Sequence, residues 1–289
     1  MVTKIKAPNI SSIVFINKVL ESRMVSSNRL SAFYKAIEKD LILSYESYIQ
    51  EKGNPEIINT LDFKKYSAVN DIELRKKTMI NLYTTKQDAY ITPILDSLRT
   101  KHNLLFCPFC GEEVIPSTLD HYLPKEKFPE YSICLMNLIP MCTKCQGKDA
   151  KGEKVLDINN CRIFLNPYFE NVDKFLVLSI LPPFNEPGFI LNLKDIKDKS
   201  YYKLLASHVI ELNIYDRFLN FARSKHISLL KLAKRNRQSG RPIKEIIQIY
   251  LDEKEINSTN SWSAIYYRGV LFNPDLLNYL DREDLPEYI

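Results

Sequence analysis

The sequence lacks any apolar segment long enough to cross a membrane, because no window approaches the roughly 20 apolar residues that a transmembrane helix needs. The first ten residues carry two lysines without a following apolar core, so we expect no secretory signal. No internal repeat or low-complexity linker interrupts the 289 residues. These absences predict a globular, cytoplasmic protein, in which thiols stay reduced and paired cysteines more often bind a metal than form disulfides.

Carboxylates are missing from residues 223–241, although the whole chain carries 35 acidic and 40 basic residues, for a net charge of +5. The basic residues of this stretch are Arg223, Lys225, Lys231, Lys234, Arg235, Arg237 and Arg241. A second basic set lies beside four of the cysteines and consists of Lys144, Lys148, Lys151 and Lys154. Clustered positive charge favours a polyanionic partner, and the alternative is an ordinary solvated helix face.

Helical periodicity surrounds a central segment of different character. Apolar residues recur at helical spacing in 28–50, 70–83, 92–102, 201–212, 217–237, 242–254 and 261–271. We expect Asn70 and Thr92 to cap the second and third of these helices. Residues 106–145 contain five prolines and predict short β segments between two cysteine turns, whereas 181–187 is rich in proline and predicts a connection. The fold class predicted is α+β and predominantly α-helical, with a small metal-stapled insert.

Four of the six cysteines form two Cys-x-x-Cys pairs, which 31 residues separate. The ligands predicted are Cys107, Cys110, Cys142 and Cys145. Four thiolates close a tetrahedral zinc site and leave no open position, so this zinc would be structural and not catalytic. Redox or packing cysteines are the alternative interpretation. Cys134 and Cys161 stand alone and are predicted to be small buried hydrophobes.

The segment between the cysteine pairs contains the dipeptide Asp120-His121. An aspartate can ligate a hard divalent cation through oxygen, and an imidazole can take a proton from an attacking water. Together they suit metal-assisted hydrolysis of a phosphodiester. By itself the dipeptide is a weak signal, because a loop histidine is more often a surface or packing residue.

The order of these features resembles the HNH, or ββα-metal, endonuclease family over residues 105–170. The features are Cys-Pro-x-Cys-Gly at 107–111, Asp-His at 120–121, Asn-Leu at 137–138, Pro-x-Cys-x-x-Cys at 140–145 and Lys148. The form Asp-His-Tyr-Leu-Pro-Lys, followed by Phe-Pro-Glu-Tyr at 128–131, is similar to HNH nucleases of bacterial anti-phage systems. These include the nuclease subunit of Septu-type and related retron systems, whose partner is an ATPase. Asn-Pro-Tyr-Phe-Glu at 166–170 is similar to the His-Pro-Tyr-Phe-Asp that often follows the motif.

The resemblance implies a role for each matching residue. His121 would be the general base, Asp120 a ligand of catalytic Mg²⁺ or Mn²⁺, and Asn137 would hold the loop that orients His121. Gln146 stands where the family has His or Asn, so its ligation of the catalytic metal is in doubt. Lys125 and Lys148 are candidates to contact the phosphate. Alternatively, Asn137 caps a turn and Lys148 is simply exposed, and we expect Tyr122, Phe128 and Tyr131 to be core residues.

The cysteine pairs predict structural Zn²⁺, and the resemblance implies a metal-dependent HNH endonuclease that cuts DNA in bacterial anti-phage defence with an ATPase as a possible partner. Its predicted regions are a helical region at 1–104, the nuclease module at 105–170 and a helical region at 171–289. Further phosphate contacts are expected from Arg223, Lys231, Lys234, Arg235 and Arg237. Two alternatives stay open: a catalytically silent zinc-stapled scaffold or nucleic-acid-binding subunit, which Gln146 favours, and a nuclease acting on RNA.

Overall fold

A computed structural model describes residues 2–85 and 88–287, and within these residues the chain is mostly helical with two small antiparallel sheets. The predicted α+β, predominantly helical class is confirmed. Contacts divide the chain into two compact units. One contains Lys4–Leu104 and Pro116–Phe169, and the other contains Met1–Thr3, Leu105–Ile115 and Glu170–Ile289. Within the described residues, we find no helix with both the length and the apolarity to span a bilayer. The three functional regions expected from the sequence stay a prediction.

The unit that contains Asp120 and His121 has five helices and one sheet within its described residues. Its helices are α1 (Ser12–Arg23), α2 (Ser31–Gln50), α3 (Ile72–Thr84), α4 (Ile91–Thr100) and α5 (Thr143–Gln146). Strands β1 (Thr118–His121) and β2 (Leu138–Met141) pair antiparallel, so that His121 lies opposite Leu138. The short β segments predicted between the cysteine turns are thus present as two strands, and a single helical turn follows them.

Helix α2 supplies apolar support to the segment that joins β1 to β2. The helical spacing of its apolar residues produces a buried face that includes Leu41, Tyr45 and Tyr48. The Tyr48 ring lies 5.1 Å from that of Tyr131, between centroids, and the Tyr131 hydroxyl donates to the Ser44 carbonyl at 3.2 Å. The segment that joins β1 to β2 is therefore fixed against a long helix by buried aromatic residues.

Two of the expected helix caps are wrong. Helix α3 begins after Asp71 and not after Asn70, and this N-cap has no side-chain hydrogen bond. Helix α4 begins at Ile91, so Thr92 lies inside its first turn. The Asp88 carboxylate accepts from the N–H groups of Tyr90 and Ile91, both at 2.8 Å, and thus supplies the acceptor expected of Thr92.

The other unit contains the remaining helices and the second sheet. The helices are α6 (Lys199–Glu211), α7 (Ile214–Arg237), α8 (Ile243–Asn257), α9 (Trp262–Leu271) and α10 (Pro274–Arg282). Strands β3 (Leu176–Leu181) and β4 (Gly188–Leu193) form an antiparallel hairpin. Four of these helices match the sequence prediction, whereas the hairpin was missed and the predicted connection at 181–187 covers its turn. The core of this unit includes Trp262, whose ring lies 5.7 Å from that of Phe218.

Candidate metal and catalytic centre

The four predicted cysteine ligands come together. All four are buried, and their sulfur atoms all lie within 4.8 Å of one another. Sulfurs around a tetrahedral zinc, with Zn–S bonds of about 2.3 Å, lie about 3.8 Å apart, so the cluster has the dimensions of a zinc site. The chain thus has four thiols that can hold a metal such as zinc, as predicted.

The first cysteine pair lies in a turn that several side chains of its own unit hold in place. The indole of Trp262 donates to the Cys110 carbonyl at 2.8 Å, and the imidazole of His208 donates to the Phe109 carbonyl at 2.8 Å. The guanidinium of Arg217 lies 3.4 Å from the Cys110 sulfur and also pairs with Glu112 at 2.5 Å. A cation beside the sulfur favours the thiolate, which is the form that binds metal.

The second cysteine pair begins α5. Cys142 is the N-cap residue of this helix, and its carbonyl accepts from the N–H groups of Cys145 and Gln146 at 3.1 and 3.2 Å. This turn places Cys145 in the core and leaves the side chain of Gln146 half-buried. One turn of helix therefore positions both a predicted zinc ligand and the doubtful ligand of the catalytic metal.

The carboxylate of Asp120 faces Gln146. The Gln146 Nε2 donates to Asp120 Oδ1 at 3.4 Å, although 26 residues separate the two in sequence. Asp120 belongs to the half-buried side of β1, whereas Leu119 and His121 belong to the buried side. Carboxylate and amide oxygens are ligand types that Mg²⁺ and Mn²⁺ accept, usually with several waters. Gln146 directs an N–H group and not its amide oxygen at Asp120, so ligation of one divalent cation by both residues stays a prediction.

Lys151 is a member of the site that the sequence analysis did not assign to it. Its side chain is fully buried, and its ammonium lies 3.0 Å from Asp120 Oδ2 and 2.6 Å from the His121 carbonyl oxygen. Burial lowers the pKa of Lys151, and Asp120 opposes this shift. The available signal was its membership of the basic set beside the cysteines, but four lysines share that signal.

His121 is buried at the end of β1. Its Nε2 donates to the Ser132 carbonyl at 2.8 Å, and its ring centroid lies 4.4 Å from that of Tyr83 in an edge-on arrangement. Because a carbonyl only accepts, this hydrogen bond places a proton on Nε2 and leaves Nδ1 as the acceptor in the neutral ring. Burial lowers the pKa of His121 to about 3, and the neighbouring Lys125 and Lys151 add to the shift. At neutral pH the imidazole is thus uncharged, with a proton on Nε2 and none on Nδ1.

Asn137 binds the chain just beyond His121. Its Oδ1 accepts from the Leu123 N–H at 2.7 Å and the Tyr48 hydroxyl at 3.1 Å. Its Nδ2 donates to the carbonyls of Leu123 at 3.0 Å and Tyr131 at 3.2 Å. The amide thus connects both ends of the segment that leaves β1, while its role in orienting His121 stays a prediction.

The predicted phosphate contacts have unequal surroundings. Lys125 pairs with Glu126 at 2.5 Å, and Lys148 is exposed. In α7, the guanidinium of Arg237 donates to the Leu280 and Tyr279 carbonyls, both at 2.9 Å. The other four predicted contacts of this helix are exposed: Arg223, Lys231, Lys234 and Arg235.

The remaining cysteines and aromatic residues divide between core and surface. Cys134, Tyr122 and Tyr131 are buried, as expected of core residues, and Phe128 is half-buried. The prediction for Cys161 was wrong, because this residue is exposed. The Asp157 side chain accepts from the Cys161 N–H at 2.8 Å in a surface turn, so local turn formation and not packing fixes its place.

Comparisons with known proteins find two partial relatives. Over 64 residues, 22% of this chain and 21% of the relative, the chain is 35% identical to protein ea31 of Escherichia phage lambda. Over 121 residues, 39% of this chain and 40% of the relative, it is 26% identical to Septu protein PtuB of Bacillus thuringiensis. The chain thus spans less than half the length of either relative. No family model and no solved structure matches. The resemblance to a Septu protein is therefore confirmed as a distant one, and HNH family membership stays a prediction.

Proposed function

We propose that this protein is a metal-dependent HNH endonuclease that hydrolyses phosphodiester bonds in DNA, as the nuclease effector of a bacterial anti-phage defence system. The observation that carries the proposal is the position of Asp120, which lies beside His121 on β1 and faces Gln146 across 3.4 Å. The distant similarity to a Septu protein supports the defence role. An ATPase partner subunit is proposed only because the sequence motif resembles Septu-type systems.

The residues of the site divide the chemistry between them. Asp120 and Gln146 would hold Mg²⁺ or Mn²⁺, which when bound polarises the phosphate and stabilises the leaving oxygen. His121 would accept the proton of the attacking water at Nδ1, because Nε2 is committed to the Ser132 carbonyl. An imidazole with a pKa of about 3 is a weak base, but the negative charge of a phosphate would raise that pKa on binding.

The exposed basic residues of α7 provide the proposed phosphate-binding surface. Arg223, Lys231, Lys234 and Arg235 would add affinity that depends on salt and not on base sequence. Reversing the charge of Lys231, Lys234 and Arg235 should weaken DNA binding and flatten its dependence on salt concentration. Unchanged salt dependence in that variant would return α7 to the alternative of a solvated face.

Plasmid cleavage with Mg²⁺ or Mn²⁺ tests the enzymatic proposal. His121→Ala should lower the rate about 10²–10⁴-fold, the usual effect of losing a general base. His102→Ala is the matched control, because His102 also forms a ring hydrogen bond to a carbonyl, that of Pro116 at 3.0 Å, and should retain cleavage. Cleavage by His121→Ala at the wild-type rate would contradict the proposal. The same preparations should be tested on structured RNA, and with the ATPase present, to identify the substrate and any need for a partner.

A catalytically silent nucleic-acid-binding or scaffold subunit is the second candidate. The ion pair between Lys151 and Asp120 favours it, because an ammonium already neutralises the carboxylate that the cation would use. Such a subunit would bind DNA but cleave neither DNA nor RNA with any divalent metal, with or without its partner.

A further inference from the structure

Lys151 is a charged side chain in the interior of its unit. Its exposed fraction is 0%, and it is among the largest fully buried side chains of the described residues. Removing an ammonium from water costs several kcal/mol unless charge and hydrogen bonds compensate for it. Its surroundings must therefore supply acceptors, and these acceptors identify what the residue does.

Three oxygen atoms surround the ammonium. They are Asp120 Oδ2 at 3.0 Å, the His121 carbonyl oxygen at 2.6 Å and the Gly152 carbonyl oxygen at 3.4 Å. The ammonium donates hydrogen bonds to the two carbonyl oxygens, whereas its contact with Asp120 Oδ2 is an ion pair without hydrogen-bond geometry. Lys151 is thus committed to groups of its own chain, unlike Lys148, which is exposed. A substrate phosphate is accordingly not its expected partner.

This arrangement makes the two oxygens of Asp120 unequal. Oδ2 forms the ion pair with Lys151 at 3.0 Å, whereas Oδ1 accepts a long hydrogen bond from Gln146 Nε2 at 3.4 Å. We propose that Lys151 is a positioning residue that holds Oδ2 and leaves Oδ1 as the single Asp120 oxygen available to a divalent cation. The inference rests on the proposed function, since it concerns the same metal site.

Ligation through one carboxylate oxygen has a consequence for the choice of metal. Ca²⁺ accepts carboxylates through both oxygens in flexible geometries, whereas Mg²⁺ demands octahedral geometry and usually uses only one or two carboxylates plus waters. Lys151 would therefore select against Ca²⁺. Its positive charge also repels every divalent cation alike, so the ratio of affinities, and not their absolute values, reports the positioning role.

Calorimetric titration of the zinc-loaded full chain with Mn²⁺ and with Ca²⁺ tests the inference without measuring cleavage. Lys151→Met removes the ammonium and should shift the affinity ratio toward Ca²⁺ by about tenfold or more, as losing a group that orients a metal ligand does. Lys144→Met is the matched control, since Lys144 is an exposed lysine of α5, the helix that carries Gln146, and it should leave the ratio unchanged.

Asp120→Asn separates the possible failures. Equal Mn²⁺ binding by wild type and Asp120→Asn would contradict the proposed function, because no cation would then use Asp120. Binding that depends on Asp120, with the same Mn²⁺ to Ca²⁺ ratio in wild type and Lys151→Met, would overturn only the positioning role. Should Lys151→Met not fold, the double variant Asp120→Asn/Lys151→Met decides. Recovered folding supports the pairing, and failure to fold overturns it, since the fold would then need Lys151 for its carbonyl hydrogen bonds or its packing and not for Asp120.

Discussion

The two antiparallel sheets of this protein are similar in size and differ in what stabilises them. The β1–β2 sheet is bordered by buried polar groups, among them Asn137 and Lys151, which bind backbone atoms around it. The β3–β4 hairpin buries alternate residues of β3 and packs against α9. A buried hydrogen bond is lost when a substitution removes its donor or acceptor, whereas an apolar contact is weakened when a substitution changes the volume or shape of the side chain. Substitutions in the two sheets should therefore destabilise the protein for different reasons.

The largest effect should come from Cys142, which directly follows β2. Structural zinc supplies about 10 kcal/mol or more of folding free energy, so Cys142→Ser should lose the metal and with it the β1–β2 sheet. Elemental analysis should find about one zinc per wild-type chain and none in the variant. Cys161→Ser, at the exposed cysteine, is the control and should keep both metal and melting temperature. Full zinc content in Cys142→Ser would show that the cluster is not the zinc site.

Asn137 and Asn192 provide the sharpest comparison between the sheets. Asn137→Ala removes four buried hydrogen bonds and leaves the Leu123 N–H and carbonyl without a partner, so it should lower the free energy of unfolding by about 3 kcal/mol. Asn192, on β4, is exposed, and Asn192→Ala should change it by no more than about 0.5 kcal/mol. Urea unfolding measures both. Equal effects would show that the polar connections of Asn137 do not stabilise the first sheet.

Glu130, in the segment between β1 and β2, should make stability depend on pH. Burial raises the pKa of its carboxyl to about 7, although the Leu61 N–H donates to it at 3.0 Å. Because the folded pKa exceeds the unfolded one, the protonated form stabilises the fold at acidic pH. This contribution, roughly 3 kcal/mol, should be lost as the pH rises from about 4.5 to 7. Urea unfolding between about pH 4.5 and 7 should show that the free energy of unfolding declines less with pH in Glu130→Gln than in the wild type. An equal decline in both proteins would mean that another group causes the pH dependence.

A smaller effect is expected where α9 packs on β3. A Cβ added at Gly269 would lie 2.9 Å from the carbonyl oxygen of Leu178 and 3.0 Å from the Cβ of Leu178. Gly269→Ala should therefore lower the free energy of unfolding by about 1–3 kcal/mol, despite the better helix propensity of alanine. Thermal unfolding should show the loss, with zinc content unchanged. A higher melting temperature would mean that helix propensity outweighs the close contact.

Local patterns made much of this fold predictable. Helix α2 and most helices of the second unit follow from apolar spacing, because one buried face requires that period. The β3–β4 hairpin was missed because Val177 and Leu181 are apolar but exposed, which hides the alternation of β3. The signal that could have found it was the run Leu-Val-Leu-Ser-Ile-Leu at 176–181, followed by a turn rich in proline and glycine.

The sequence by itself determined the cysteine pairs, the presence of short β segments between them, and the place of Asp120 and His121 between the two pairs. These depend on residue type and spacing, which a chain displays without folding. Only the tertiary structure decided that Lys151 is buried against Asp120, that His121 donates to Ser132, and that Cys161 is exposed. Each of these depends on which distant segments exclude water from a side chain, and burial of that kind follows from packing, not from local sequence.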